Sequence, residues 1–448
     1  MAPAATGLAL FRRRARTWAG ILSAYFSTQT LTQLLGIAAG LLFIRTMPVH
    51  EFALYTLATS VITFFAFVTD LGSSTSLVHF YRRAAAEGGD FGRYVAAVLS
   101  LRRVAFLVGA LVVAAALPLA ANAKGYGKVE VALTTAAVIV AVGCQIVASL
   151  RQLSLRLHGG FGRSYRADVS GAALRLGLAV VMVVAALLQS WLAVLTAAAA
   201  SALTAWMAGG ATGLAGAVEA KAEPLDLGRY RRAVLRYLLP TLPSALYFAV
   251  QGPLVVWLAA TFGGTRNIAE VGALTRLGLL VGLFSGLTGI VFMPRLARVH
   301  DERIFRSRVL QFGSLHLLLV ATLLAVAWAA PRPFLLLLGP NYLGLHKELL
   351  LVVAGAGLSL LDGYLVAINL ARSWTRWQGL ALLSLVGAQA ILVAVLPLDT
   401  SAGVLRFNVA SAAAAFIGQA ATLVIGFVRP QWVHWVASAG PEPAITAP

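Results

Sequence analysis

Residues 52–80 read F-A-L-Y-T-L-A-T-S-V-I-T-F-F-A-F-V-T-D-L-G-S-S-T-S-L-V-H-F. Within this run Asp70 is the single acid and there is no Lys or Arg, whereas Glu51 precedes it and Arg82 and Arg83 follow it. A helix of about 20 apolar residues, rising 1.5 Å per residue, crosses a hydrocarbon core of roughly 30 Å. The run is thus long enough to span a bilayer. Working outward, comparable runs fill nearly the whole 448-residue chain. Twelve spans are expected, at 19–44, 52–80, 103–121, 130–150, 169–188, 191–210, 238–261, 271–293, 309–330, 349–370, 377–397 and 408–428. The composition agrees, with 60% hydrophobic residues, 11% charged and a mean hydropathy of +0.85. Soluble domains carry about a quarter charged residues, so an ordinary water-soluble enzyme is excluded. The first run, preceded by Arg12, Arg13, Arg14 and Arg16, is too long and too polar for a secretory signal and reads as an uncleaved helix.

Lys and Arg number 35 against 16 Asp and Glu, a net charge of +19. In a soluble chain that excess would suggest nucleic acid. Here its distribution is alternating. If the N-terminus is cytoplasmic, 26 of the 35 fall in cytoplasmic segments, seven outside, and Arg175 and Arg276 inside helices. Bias of this kind sets membrane orientation. The net charge is then topology, both termini are expected in the cytoplasm, and nucleic acid is not an expected partner.

Cys144 is the single cysteine, and it lies in an apolar run, so neither an intramolecular disulfide nor a thiolate metal cluster can form. The seven histidines show no HxxxH or HExxH spacing, and no GxxxxGK[ST], GxGxxG or GxSxG occurs. No cofactor or metal is expected. The loops leave no room for a soluble catalytic domain. A membrane-embedded glycosyl- or acyltransferase remains as a second class, although it would need an acid or His cluster that does not stand out.

The chain looks duplicated. The basic stretch 211–237, with Lys221, Arg229, Arg231, Arg232 and Arg236, divides six spans from six. A short outside loop after each first span leads into a Glu-x-x-Leu or Glu-x-x-Ala entrance, at Glu51–Leu54 with Ala53 inside it and at Glu270–Ala273. The expected parts are an N-terminal bundle 1–210, a cytoplasmic basic linker 211–237, a C-terminal bundle 238–430 and a cytoplasmic tail 431–448. Paired halves of this kind suit transporters whose site lies between repeats.

Residues 43–83, with F-I-R-T-M-P-V-H-E-F-A-L-Y-T-L-A-T-S, V-T-D-L-G-S-S-T-S-L and Y-R-R, resemble the opening helices of bacterial O-antigen-type polysaccharide flippases. L-P-T-L-P-S-A-L-Y from Leu239, I-A-E-V-G-A-L-T-R-L from Ile268 and F-M-P-R-L-A-R ending at Arg298 are similar in the second half. The superfamily also contains the multidrug and toxic-compound extruders and the lipid II flippase. For the last, fourteen helices would be expected rather than twelve. The resemblance implies an all-α, MATE-like fold. It also implies a polyprenyl-pyrophosphate-linked oligosaccharide as cargo, carried to the outer leaflet of the plasma membrane for cell-surface polysaccharide synthesis. Membrane lipids, a proton or sodium ion, a polysaccharide polymerase and glycosyltransferases are the implied partners.

Such cargo needs a wet cavity. Tyr25, Gln29, Thr32 and Gly36 share one face of the first span; Thr56, Ser60, Thr63, Asp70 and Ser74 lie on the second; Pro240, Pro243, Ser244, Tyr247 and Gln251 lie along the seventh. Such residues also bond neighbouring membrane helices, so lining and glue both stand. Charges inside the bilayer cost about 2.5–3.5 kcal/mol each and face a cavity or a partner. Arg175, about two turns into the fifth span, is the first candidate to hold pyrophosphate, because a guanidinium matches phosphate oxygens bidentately. Snorkelling, or a structural pair with Asp168, is the alternative. Arg276, near the outer end of the eighth span, is a second candidate. Asp70 and Asp362 are the ion-coupling candidates, the former competing with a role as cap or kink, the latter sharing a face with Gly355, Asn369 and Ser373. Gly278, Gly282 and Gly286 suit close helix packing, and Trp374, Trp377, Trp432 and Trp435 suit a membrane boundary. A cation-coupled multidrug extruder of the same fold is the nearest rival, but the first and seventh spans carry no carboxylate.

Overall fold

The computed structural model describes residues 27–87, 91–209, 224–282, 284, 299, 301–374 and 376–433, and all regular structure among them is helical. Among the described residues ten helices are long and apolar enough to cross a membrane, with a shorter apolar one at Gly379–Val395. That shorter helix lies where the eleventh span is expected. The eighth expected span, 271–293, leaves the described residues after Gly282, apart from residue 284. The helices fall into two compact units, Met1–Ala269 and Glu270–Pro448.

The first unit contains α1 (Ser27–Thr46), α2 (Val49–Asp70), α3 (Ser73–Glu87), α4 (Phe91–Asn122), α5 (Lys128–Leu157), α6 (Phe161–Val184), α7 (Ser190–Gly209), α8 (Pro224–Leu238) and α9 (Leu242–Phe262). It also holds the first turn of α10 (Thr265–Gly282). Helix α5 is central, packed on α7, α2 and α4, while α6 lies on α7 and α9 on α2. At 22 residues, α2 is about 33 Å long. It ends where Leu71 and Gly72 both take positive φ, 39° and 78°. Glycine adopts that conformation without Cβ strain, and the turn lets α3 depart. The 211–237 stretch is partly a helix rather than a plain linker. Val234 and Leu238 of α8 are buried with Leu77 and Phe80 of α3, Val95 and Val98 of α4 and Leu150 of α5. Its Arg229, Arg231, Arg232 and Arg236 are exposed, and Arg231 Nε donates to Ser100 Oγ at 2.7 Å.

The third span starts earlier than expected. Helix α4 begins at Phe91, and Arg102, which the sequence places in a cytoplasmic segment, is 2% exposed inside it. Val95, Val98, Arg102, Val113 and Leu117 form one buried stripe. The physical reason is a partner: Asp70 neutralises the guanidinium, which removes most of the cost of burying it.

The second unit comprises the rest of α10, then α11 (Glu302–Ala329), α12 (Pro331–Leu338), α13 (His346–Ala371), α14 (Gln378–Val395), α15 (Ser401–Val428) and α16 (Pro430–Val433). Helix α13 packs on α15 and α11. Asp301 caps α11, accepting from the N–H of Arg303 at 2.8 Å and of Ile304 at 3.0 Å. A Cβ at Gly278 would touch Val352 and Ala356 of α13 at 3.5 and 3.8 Å, so that glycine sits at a close helix contact. Gly282 has open space there, and Gly286 lies outside the described residues. Trp374 is no boundary residue: it is buried against Phe305 and Phe427. Trp377 and Trp432 are exposed, and Trp435 is outside the described residues.

Each unit has the same joint at the end opposite its main arginine clusters. In the first, Glu51 at the start of α2 accepts the Ser190 N–H at the start of α7, at 2.7 Å. In the second, Glu270 accepts from Ser401 Oγ at the start of α15, at 2.8 Å. A buried tyrosine from the loop before the central helix stands beside each carboxylate, Tyr126 and Tyr342 respectively. Burial raises both phenols above the usual tyrosine range, Tyr342 to about 12 with a further push from Glu270.

Candidate functional site

A polar cluster of the first unit forms where α2 breaks. Asp70 Oδ1 accepts from Ser74 Oγ at 2.7 Å and Ser73 Oγ at 3.3 Å, and pairs with Arg102. Arg102 also donates through Nε to Ser73 Oγ at 2.7 Å, through Nη2 to Ser74 Oγ at 2.9 Å and through Nη1 to Ser149 Oγ at 3.0 Å. The D-L-G-S-S stretch makes this possible: the left-handed turn at Leu71 and Gly72 swings both serine hydroxyls back toward the carboxylate. A cavity of about 300 Å³ opens on the cluster, with Thr63, Asp70, Ser74, Arg102, Gln145 and Ser149 supplying its polar wall. It offers hydroxyls, an amide and a neutralised ion pair, the groups that hydrogen-bond polyhydroxylated or anionic ligands. Sequence reading missed Arg102, Gln145 and Ser149. The signal for Arg102 was the seven-residue spacing that places it in register with Val95.

Arg175 occupies a second site. Fourteen residues from Phe161, it is about 21 Å into α6, or about four turns rather than two, too deep to reach the surface at that end. Its Nη2 donates to the hydroxyl of Tyr55 on α2 at 2.9 Å, and Tyr55 is fully buried against Phe43 and Phe52. The Arg175 Nε is shielded from solvent and has no hydrogen-bond partner among the described residues. Asp168 is not its counter-charge: that carboxylate pairs with Arg156 at 2.9 Å and accepts from Gln152. Tyr55 and Asp70 are fifteen residues apart, so along α2 the two sites are about 22 Å apart.

The polar stripe of α2 divides between two uses. Ser60 accepts from Trp257 Nε1 of α9 at 3.1 Å, which is helix glue, whereas Thr63, Asp70 and Ser74 line the cavity. On α1, Gln29 is exposed and Thr32 half-buried, and Tyr25 lies outside the described residues. Tyr247 and Gln251 are half-buried one turn apart on α9. In the second unit, Arg276 is half-buried about three turns into α10, which begins at Thr265. Asp362 is half-buried on α13, and its Oδ1 is shielded without a hydrogen-bond partner among the described residues. Seven residues to either side, Gly355 abuts Asn408, and Asn369 Nδ2 donates to Gln419 Oε1 at 2.9 Å, both on α15. That stripe packs on α15 instead of forming an open lining.

Residues 18–239 match the family described as polysaccharide biosynthesis protein. The match spans 222 of the 448 residues, so the N-terminal half of the chain is similar to this family. Similar solved structures include the lipid II flippase MurJ in an inward closed conformation, with a TM-score of 0.68 and 13% identity over 89% of this chain and 87% of that one. An inward-facing multidrug resistance MATE family transporter of the MOP superfamily has a TM-score of 0.61 and 14% identity, covering 90% of this chain and 95% of that one. A mutant form of the Vibrio cholerae MATE transporter VcmN has a TM-score of 0.58 and 14% identity over 91% and 98% of the two chains. At these identities the likeness is one of fold. No curated protein matches the chain. The protein is thus a multi-pass membrane protein with a MATE-like fold, all-helical among the described residues, whose N-terminal half resembles the polysaccharide biosynthesis family.

Proposed function

We propose that the protein flips a polyprenyl-pyrophosphate-linked oligosaccharide from the cytoplasmic to the outer leaflet of the plasma membrane, by alternating access, with both termini in the cytoplasm. The observation that carries this reading is Arg175. A guanidinium deep in a membrane helix, held by one tyrosine hydroxyl and with its Nε unclaimed among the described residues, is suited to an anion brought in from outside the protein. A pyrophosphate supplies paired acceptors for such a fork. In this reading Tyr25, Gln29, Thr32, Tyr247, Gln251 and Arg276 contact the head group, the isoprenoid tail stays in lipid, and Asp70 or Asp362 carries the coupling ion. A polymerase and glycosyltransferases act on the cargo before or after it.

The test is depletion of the protein in its own host, followed by assay of surface polysaccharide and of the lipid-linked precursor in each leaflet. Precursor trapped in the inner leaflet with surface glycan lost is the expected result. Restoration by the wild type but not by Arg175→Ala, inserted at normal abundance, assigns the residue. Unchanged glycan and precursor in a host without a paralogue refute the reading in favour of drug extrusion, and absent precursor refutes it in favour of a transferase.

A further inference from the structure

At the arginine-rich end of the first unit, α6 begins beside the end of α7, and a groove of about 480 Å³ lies there, lined by Arg163, Arg166, Trp206 and Met207. Arg163 and Arg166 are three residues apart and so share a face of α6. Arg163 Nε donates to the Met207 carbonyl at 2.9 Å and Arg166 Nε to the Gly162 carbonyl at 3.3 Å. Each bond orients a guanidinium through Nε and leaves its two Nη groups as a fork. Among the described residues, no carboxylate lines the groove. The nearby acid of α6, Asp168, is committed to Arg156 and Gln152. Another cation is equally committed: Arg151 Nη1 caps the Ala205 carbonyl of α7 at 3.0 Å.

Trp206 is 74% exposed on a membrane-length helix. An indole in that setting is covered by lipid and takes the boundary between head groups and acyl chains, where its apolar body and N–H are both satisfied. Two arginine forks with an indole beside them match a ligand that is anionic at one end and apolar at the other. We infer that the α6–α7 groove holds the phosphate head group of an anionic phospholipid, with the guanidinium forks on the phosphate and Trp206 along the glycerol and upper acyl region. Trp206 argues against a soluble anion, which would have no use for an exposed indole. The inference concerns a bilayer lipid and holds whichever cargo is carried.

The experiment uses the full chain reconstituted in phosphatidylcholine vesicles, with brominated phosphatidylglycerol or brominated phosphatidylcholine titrated in and tryptophan fluorescence recorded. A saturable quenching component with phosphatidylglycerol alone is expected, absent in Trp206→Phe. Each basic residue near an anionic lipid surface contributes about a fivefold factor, so Arg163→Ala/Arg166→Ala weakens that component by about 30-fold. Arg332→Ala/Arg406→Ala removes equal charge from exposed positions of the second unit and leaves it unchanged. Should the alanine pair fail to fold, Arg163→Lys/Arg166→Lys retains charge without the forks and shows an intermediate loss. Equal quenching by both lipids, a component indifferent to Arg163 and Arg166, or one retained in Trp206→Phe overturns the inference. Displacement by excess inorganic phosphate overturns the lipid as the ligand.

Discussion

Removing Asp70 should cost more than removing Arg102, although they are two halves of one ion pair. The two ends are unequally buried: the Arg102 side chain is 2% exposed and that of Asp70 is 34% exposed to its cavity. Asp70→Ala leaves a cation sealed in the helix bundle with hydroxyls alone, those of Ser73, Ser74 and Ser149. Breaking a buried pair from the side that strands a charge costs about 3–5 kcal/mol, and the three hydroxyls place this case near about 3. Arg102→Met leaves a carboxylate that keeps its Ser74 and Ser73 bonds and is hydrated from the cavity, a loss of about 1–1.5 kcal/mol. The double variant strands no charge and should fall no more than about 1.5 kcal/mol below the wild type, so the two effects are strongly non-additive. Reversible unfolding in mixed detergent micelles, over the full cycle of four proteins, measures all three differences. A larger loss for Arg102→Met than for Asp70→Ala, or single losses that simply add, would refute the reasoning.

Three further outcomes follow from the packing. Gly109→Val should destabilise by about 1–3 kcal/mol, because a side chain there meets Phe65, whose ring is stacked on Phe106 at 5.5 Å; the same unfolding assay measures it. Glu51→Ala and Glu270→Ala should each cost about 1–2 kcal/mol and add in the double variant, since each joint lies within its own unit; a coupling above about 0.5 kcal/mol would contradict that independence. Tyr342, with its pKa raised to about 12, stays protonated in the folded state after the unfolded chain ionises near pH 10. The unfolded state then binds fewer protons, so stability falls as pH rises from about 10 to 12, by roughly 2–3 kcal/mol from this residue. Tyr342→Phe should remove that part of the alkaline loss, read from unfolding curves across the interval.

The fold class was legible in the sequence because the bilayer is a solvent with a fixed thickness. Each run such as 191–210 must be a helix there, since no water satisfies a backbone that is not internally bonded. The carboxylates at Glu51 and Glu270 were visible as paired features for a related reason, both standing at helix entrances after short loops. Asp70, Arg175 and Asp362 were also legible as exceptional, because a charge in an apolar run is costly wherever it points.

What each charge touches was decided by the tertiary structure alone. Partners are set by which helix face meets which neighbour, and apolar stripes are interchangeable in sequence. Arg102 and Asp70 are 32 residues apart, and Arg175 and Tyr55 are 120 apart. Asp168 is seven residues from Arg175 and yet bonds Arg156, since packing turns the two α6 side chains to different helices. Trp374 differs from Trp377 only by three positions, but one is buried in a core and the other exposed. The sequence by itself determined that the chain is a set of membrane helices with rare buried charges. Only the three-dimensional packing decided which of those charges neutralise one another and which keep donors free, because that depends on helix rotation and depth, quantities that apolar periodicity leaves undetermined.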